Sequence, residues 1–162
     1  MRLHLFMLSL LPIVSSIAKV RMPGIFTDNL VLQQQNGNPV WGWAKPGEEV
    51  TVLTSWGTKD SATADKDGKW MIITYTTAAG TGHEVTISGE NEIVLKNVAL
   101  GEVWLCAGQS NMGWSVGNSF EADGESDVNL PDFRIFRSAR EHWHDPLEEN
   151  LSLIHISEPT RP

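Results

Sequence analysis

The chain has 162 residues, a length that fits one domain or one domain with part of a second. Its hydrophobic fraction of 41% and charged fraction of 20% are those of an ordinary globular protein, which excludes a chain disordered throughout. The formal net charge of -8 predicts that the chain binds neither nucleic acid nor an anionic membrane, because both partners require a basic face.

The first 18 residues have the pattern of a secretory signal peptide. A short basic start at Arg2 is followed by an apolar run that is too short to cross a bilayer, and small residues precede Ala18. We therefore expect cleavage after Ala18 and a secreted or periplasmic protein. No later apolar run reaches transmembrane length, so the sequence predicts no membrane span.

Residues 19–98 are predicted to form an antiparallel β-sandwich domain. Short segments of alternating apolar and polar residues are separated by turn signals, which is typical of that architecture. The predicted strands cover residues 29–35, 39–43, 49–54, 70–75, 84–88 and 92–96, with a strong turn signal at residues 65–69. No helical periodicity competes with these strands.

The chain has seven tryptophans and one tyrosine, which indicates either a well-filled core or an aromatic-lined sugar site. Trp41 and Trp43 alternate with Gly42, so they are predicted to share one face of a strand and to be buried together. The competing interpretation is a non-catalytic, carbohydrate-binding sandwich whose tryptophans stack on sugars: Trp41, Trp43, Trp56 and Trp70.

The pattern changes after residue 98, and residues 99–150 are predicted to begin an α/β domain. Residues 103–107 are apolar without alternation, as in a central parallel strand that is covered on both faces. Cys106, inside that run, is expected to be a buried hydrophobic residue and not a reactive thiol. Residues 132–137 are predicted to form the next strand. About fifty residues are too few for a doubly wound sheet, so this domain is predicted to be truncated.

Ser110 follows the apolar run at a point where Gly108 favours a sharp turn. An exposed hydroxyl beside free backbone N–H groups suits acyl transfer, whereas a helix cap is the structural alternative. Gln109 and Asn111 are candidates either for contact with a substrate or for support of the turn. Trp114 is expected to line an acyl pocket or, more simply, to pack in the core.

Five segments stand out along the sequence: MPGIFTDNLVLQQ at residues 22–34, PVWGWAKPGE at residues 39–48, ADKDGKW at residues 64–70, EVWLCAGQSNM at residues 102–112 and LPDFRIF at residues 130–136. In this order, they resemble motifs of the sialate O-acetylesterase family. The last two resemble the family's nucleophile block and the strand that follows it. The similarity runs from about Met22 to Leu147.

The resemblance implies a β-sandwich followed by an SGNH-type serine hydrolase domain with a flavodoxin-like α/β fold. It implies that Ser110 is the nucleophile and that its backbone N–H is one oxyanion donor. The implied reaction is hydrolysis of acetyl esters of sialic acid through an acyl-enzyme, with acetylxylan or another acetylated sugar as the alternative substrate. The implied partner is an O-acetylated carbohydrate, and the implied chemistry requires no metal and no organic cofactor.

The family's catalytic base belongs to an Asp-x-x-His block, and no Asp of this sequence is followed by His three residues later. The chain by itself is therefore predicted to be inactive. His142 and His144 lie in an acidic segment, residues 141–145, that is interpreted as a solvated loop, with a metal site or a base as the alternative. Residues 151–162 resemble the translation of a sequencing-library adapter and are treated as non-native.

Overall fold

The computed structural model of this chain describes residues 19–108, 110–119, 130, 132–138 and 151–154. The predicted signal peptide and residues 141–145 lie outside the described residues. The described part is mostly β-strand, and it contains no helix that is long and apolar enough to cross a membrane.

Nine strands and two short 3-10 helices follow one another along the described chain. The strands are β1 (Val31–Gln33), β2 (Gly37–Trp43), β3 (Glu49–Thr54), β4 (Lys59–Thr63), β5 (Lys69–Tyr75), β6 (Gly80–Ser88), β7 (Glu92–Gly101), β8 (Ile135–Ser138) and β9 (Leu151–Ile154). The 3-10 helices, Ser110–Gly113 and Val116–Asn118, lie between β7 and β8. A five-stranded sheet has the order β1-β7-β6-β3-β4, while β2 and β5 form a second sheet. We call residues 19–101 the β region.

The six strands predicted before residue 98 are all present, and β4 was missed. Its sequence, KDSAT, is polar and exposed at four of five positions, so it carries no apolar alternation. β4 forms because its backbone pairs with β3. Backbone pairing of an exposed edge strand leaves no trace in a hydrophobic pattern.

The two sheets of the β region share one hydrophobic core. Alternation in β3 and β6 directs Val50, Val52, Val85 and Ile87 inward, and each is at most 1% exposed. Trp70, at 4% exposed, meets them from the second sheet. Burying a side chain of this size contributes about 1.5–3 kcal/mol, so these positions supply much of the free energy of folding.

One strand pair departs from the predicted antiparallel arrangement. β1 runs parallel to β7, with Val31 opposite Ala99 and Gln33 opposite Gly101, whereas the other described pairs are antiparallel. The prediction was wrong here because hydrophobic periodicity identifies a strand without showing its direction.

A β-bulge interrupts β7 at Asn97. Leu95 faces the core opposite Val85, yet the next inward residue is Val98, opposite His83. The spacing from Leu95 to Val98 is odd, so one extra residue has been inserted relative to β6. Asn97 accommodates it with a positive φ of 53°, a left-handed conformation that asparagine tolerates better than most residues.

The loop before β1 is fastened to this bulge. The Lys96 N–H donates to Asp28 Oδ1 at 2.7 Å, and the Asn29 N–H donates to the Lys96 carbonyl at 2.8 Å. Asn97 Nδ2 donates to Asn29 Oδ1 at 2.6 Å, and Asn29 also has a positive φ, of 65°. These bonds fix the point at which β1 joins the sheet.

The turn predicted at residues 65–69 is confirmed. Asp65 Oδ1 accepts hydrogen bonds from the N–H groups of Asp67 at 2.8 Å and Lys69 at 2.9 Å. These bonds, above all the one from Lys69, lower the pKa of the Asp65 carboxyl. Gly68 is required because its φ is 77° and a Cβ there would lie 2.6 Å from the Ala44 carbonyl oxygen.

The amino-terminal end of the described chain is held against β2. Val20 is 3% exposed, and the next residue, Arg21, exchanges two backbone hydrogen bonds of 2.9 Å with Trp43. Asn91 Nδ2 donates to the Val20 carbonyl at 3.2 Å. The β region therefore starts packing at its second described residue.

The strand predicted at residues 103–107 does not form. The ladder of β7 ends at Gly101, and beyond it Val103 is 53% exposed, Leu105 is 94% exposed and Cys106 is exposed. The expected burial of Cys106 is therefore wrong. A parallel strand requires backbone partners beside it, and none of the described residues pairs with this run.

The strand predicted at residues 132–137 is present as β8, which begins three residues later than expected. It pairs with β9, which lies in the segment 151–162 that resembles the translation of an adapter. Pairing of this kind uses backbone groups and makes few demands on side-chain identity. It is therefore compatible with a segment of any origin.

The core can be tested with two isoleucines. We expect Ile87→Ala to lower the free energy of unfolding by about 2–5 kcal/mol, because Ile87 is 0% exposed and its removal leaves a cavity. The matched control, Ile73→Ala, should cost less than about 1 kcal/mol, because Ile73 is 45% exposed. Urea unfolding measures both, and equal losses would contradict this description of the core.

Candidate active site

Ser110 lies where the chain turns after the exposed run at residues 102–108. It begins the first 3-10 helix, Ser110–Gly113, and is exposed to solvent. A helical turn therefore begins at Ser110, as expected, although the buried strand predicted before it is absent. An exposed hydroxyl at such a turn is accessible to a substrate, which a nucleophile requires.

Asn111, which follows Ser110, supports the turn through its backbone carbonyl. The Trp114 N–H donates to the Asn111 carbonyl at 3.1 Å, while the Asn111 side chain is exposed. Gln109 lies outside the described residues. Trp114 is 64% exposed and its Nε1 donates to the Asn118 carbonyl at 2.9 Å, so the expectation that it packs in the core is wrong.

The described residues bring no histidine to Ser110. Of the five histidines in the sequence, His83 is the one that the structure describes, and it contacts Ser55 in the β region. Activation of a serine hydroxyl requires a base within hydrogen-bond reach. Within the described ranges, the site therefore consists of a nucleophile candidate and its turn.

Sequence reasoning missed the Ser55–His83 pair, because its members are 28 residues apart and no motif surrounds them. Ser55 Oγ lies 3.2 Å from His83 Nδ1 and accepts the Glu84 N–H at 3.1 Å. The Ser55 N–H in turn donates to the Glu84 carbonyl at 2.9 Å. The Glu84 N–H thus binds the serine oxygen itself and is not free to stabilise an oxyanion beside it. The pair is therefore best explained as a structural link between β3 and β6.

The tryptophans of the second sheet engage in contacts within the protein. Trp41 and Trp43 share a face, as predicted, but both are half-buried and not fully buried. The Trp41 ring meets the Phe26 ring edge-on, with centroids 4.7 Å apart, and the Arg21 guanidinium lies 4.7 Å from the centroid of Trp43. Trp70 belongs to the core. These contacts favour packing over a platform for sugars.

Metal-binding side chains do not gather in the described part of the chain. No three His, Cys, Asp or Glu residues of that part lie close enough together to hold an ion. His142 and His144 are outside it, so their interpretation stays a prediction.

No family model matches the chain. The chain is 32% identical to the sialate O-acetylesterase of Mus musculus over 127 residues, which cover 71% of this chain and 23% of that protein. It is also 32% identical to the sialate O-acetylesterase of Homo sapiens over 117 residues, which cover 65% of this chain and 22% of that protein. The resemblance to the sialate O-acetylesterase family is confirmed.

A solved structure agrees with these relatives. A carbohydrate acetylesterase from Xanthomonas citri superimposes with a TM-score of 0.76 and 26% sequence identity. The match covers 86% of this chain and 33% of the Xanthomonas citri protein. The chain thus spans about a quarter of the length of the curated relatives it matches, at 22–23%, and a third of the structural one.

Proposed function

We propose that this chain carries the nucleophile of a carbohydrate O-acetylesterase that acts on O-acetylated sialic acid. The observation that carries the proposal is the exposed Ser110 at a turn inside the motif EVWLCAGQSNM. Similarity to two sialate O-acetylesterases supports it. Because the structural neighbour is called a carbohydrate acetylesterase, acetylxylan or another acetylated sugar is the second candidate substrate.

In the proposed reaction, Ser110 Oγ attacks the carbonyl carbon of the acetyl group while a base takes the hydroxyl proton. The Ser110 backbone N–H donates to the oxygen that becomes negative in the tetrahedral intermediate. The sugar leaves as an alcohol after receiving the proton, and an acetyl ester of Ser110 remains. Water then attacks that ester, releases acetate and restores the serine hydroxyl.

The base in this scheme is the histidine of an Asp-x-x-His block, which the 162 residues do not contain. We propose that it belongs to an SGNH-type α/β domain that begins near residue 99 and follows a β-sandwich. Two features support this arrangement. The β region has two sheets around one core, and the apolar run after Gly101 has the composition of a parallel strand.

The nucleophile can be tested in the full-length enzyme, that is, in this chain joined to the downstream region found in its relatives. Ser110→Ala should lower the turnover of acetylated sialic acid by roughly 10⁶-fold, because no alkoxide equivalent remains. The matched control is Ser55→Ala, which removes the serine that contacts His83 in the β region and should leave turnover unchanged. Release of acetate measures both. Turnover of Ser110→Ala within tenfold of wild type would remove Ser110 from its role.

The chain on its own gives a separate prediction. The 162 residues should hydrolyse p-nitrophenyl acetate no faster than their own Ser110→Ala variant, because a serine without a base is a weak nucleophile at neutral pH. Release of p-nitrophenol by the two purified chains is compared at equal concentration. Hydrolysis that depends on Ser110 would show that a base lies within these residues, with His142 and His144 the first candidates for substitution.

We also propose that the protein is exported and that its mature form begins at Lys19. The signal-peptide pattern that ends at Ala18 supports this. Amino-terminal sequencing of the exported protein should return Lys19-Val20-Arg21. Recovery of folded protein that retains Met1 would contradict the proposal.

A further inference from the structure

A short strip of the β region, residues 29–34, contacts two charged side chains outside that region. We call these six residues the docking strip. At its carboxyl end, Gln34 Nε2 donates to Glu102 Oε1 at 2.8 Å, and Gln33 Nε2 donates to Glu102 Oε2 at 3.1 Å. Each oxygen of the carboxylate therefore receives one amide N–H, so Glu102 is held at both of its oxygens.

The same glutamines also bind the backbone on either side of Glu102. Gln33 Oε1 accepts the Val103 N–H at 2.9 Å, and the Gln34 N–H donates to the Gly101 carbonyl at 2.9 Å. Gln34 Oε1 accepts the Ala79 N–H at 2.8 Å, which fixes the glutamine itself. The path of the chain is thus set at three consecutive residues just after β7 ends.

At the amino end of the docking strip, backbone carbonyls surround the Arg134 guanidinium. Arg134 Nη1 donates to the carbonyls of Asn97 at 2.6 Å, Asn29 at 3.1 Å and Leu30 at 3.2 Å. Arg134 Nη2 lies 3.4 Å from Asn97 Oδ1. The left-handed backbones of Asn29 and Asn97 allow these carbonyls to converge, and partial burial lowers the pKa of Arg134.

The groups that bind Glu102 are neutral. Its neighbours in the docking strip are two side-chain amides. These amides, first Gln34 and then Gln33, lower the pKa of its carboxyl, and each outweighs the opposing effect of desolvation. No charged group among the described residues contributes to that shift. The contact thus depends on the directions of specific hydrogen bonds, which screening by salt affects little.

We propose that the docking strip positions the segment that carries Ser110. It holds Glu102, eight residues before Ser110, and Arg134, which directly precedes β8. The chain therefore leaves the β region at one fixed point, Glu102, and contacts it again at another, Arg134. Gln33, Gln34, Glu102 and Arg134 are positioning residues in this scheme. The link to catalysis rests on the proposed role of Ser110, whereas the contacts themselves do not.

The Glu102 contact is tested by nuclear magnetic resonance in the 162-residue chain. The side-chain amides of Gln33 and Gln34 and the backbone amides of Glu102 and Val103 are followed from pH 7 to pH 3. A lowered folded-state pKa means that the contact is present at neutral pH and is lost as the pH falls through that pKa. We expect one shared midpoint below the ordinary value of 4.5.

Variants test whether the amides of Gln33 and Gln34 hold the Glu102 carboxylate through hydrogen bonds or merely lie near it. Replacing both Gln33 and Gln34 by alanine should move the Glu102 midpoint up towards 4.5, while Glu102→Gln should abolish the shared transition. Glu92→Gln, which removes an exposed carboxylate of β7, is the matched control and should leave the midpoint unchanged. An unchanged midpoint in the double variant, with the resonances of the β-region core intact, would overturn the proposal.

The Arg134 contact is tested by hydrogen exchange in the same chain. Arg134→Met should accelerate exchange in residues 132–138 by roughly tenfold, because the anchor at the start of β8 is lost. Arg134→Lys should lie between wild type and Arg134→Met, since an ammonium keeps the charge and lacks the fork of a guanidinium. Exchange in Arg134→Met at the wild-type rate would contradict the proposal that the docking strip holds Arg134 as well as Glu102. Failure of Ser110-dependent hydrolysis would contradict the proposed function and leave both of these measurements unaffected.

Discussion

The extra residue in β7 sets the constraint on which the rest of the described structure depends. Without the bulge at Asn97, Leu95 and Val98 would face opposite sides of the sheet, and one of them would leave the core. The bulge restores the inward direction for Val98 and Leu100. It thereby allows one long strand to pack its two halves on the same core.

The same bulge explains why β1 stands where it does. The loop at Asp28 and Asn29 binds the two residues of the bulge, and β1 then runs beside the second half of β7 in the parallel direction. A parallel neighbour brings Gln33 and Gln34 to the end of β7, close to Glu102. An antiparallel β1 would have placed those glutamines at the opposite end of β7. The direction of this three-residue strand therefore determines that Glu102 contacts Gln33 and Gln34 where the chain leaves the sheet.

Much of the β region could be predicted from local patterns, because its strands alternate over a core that the same residues create. β3 and β5 are examples, with buried residues at every second position. The exposure of residues 103–107 could not be predicted. An apolar sequence indicates a strand that is buried on both faces, but it does not show whether neighbouring strands and helices are present to bury it. The bulge at Asn97 was equally invisible, because asparagine is common both in turns and in strand ends.

At the candidate active site, too, local features could be predicted and long-range contacts could not. The helical turn at Ser110 could be predicted from Gly108, two residues earlier, and from the end of the apolar run. The contacts of the run that leads to Ser110 could not be predicted. Glu102, in that run, contacts Gln34 and Gln33, which lie 68 and 69 positions away in the sequence. A contact of that separation depends on sheet topology, which no short window of sequence contains. The Ser55–His83 pair escaped prediction for the same reason.

The burial of Val20, so near the start of the β region, bears on the order of events in the export proposed above. A protease reaches an exposed, flexible stretch of chain far more readily than one that is fixed to a folded domain. Lys19 is the one residue between Ala18 and a side chain that is 3% exposed and whose carbonyl is bound by Asn91. The proposed cleavage after Ala18 therefore requires a signal peptidase to act before the β region folds, because the folded β region holds the chain from Val20 onward.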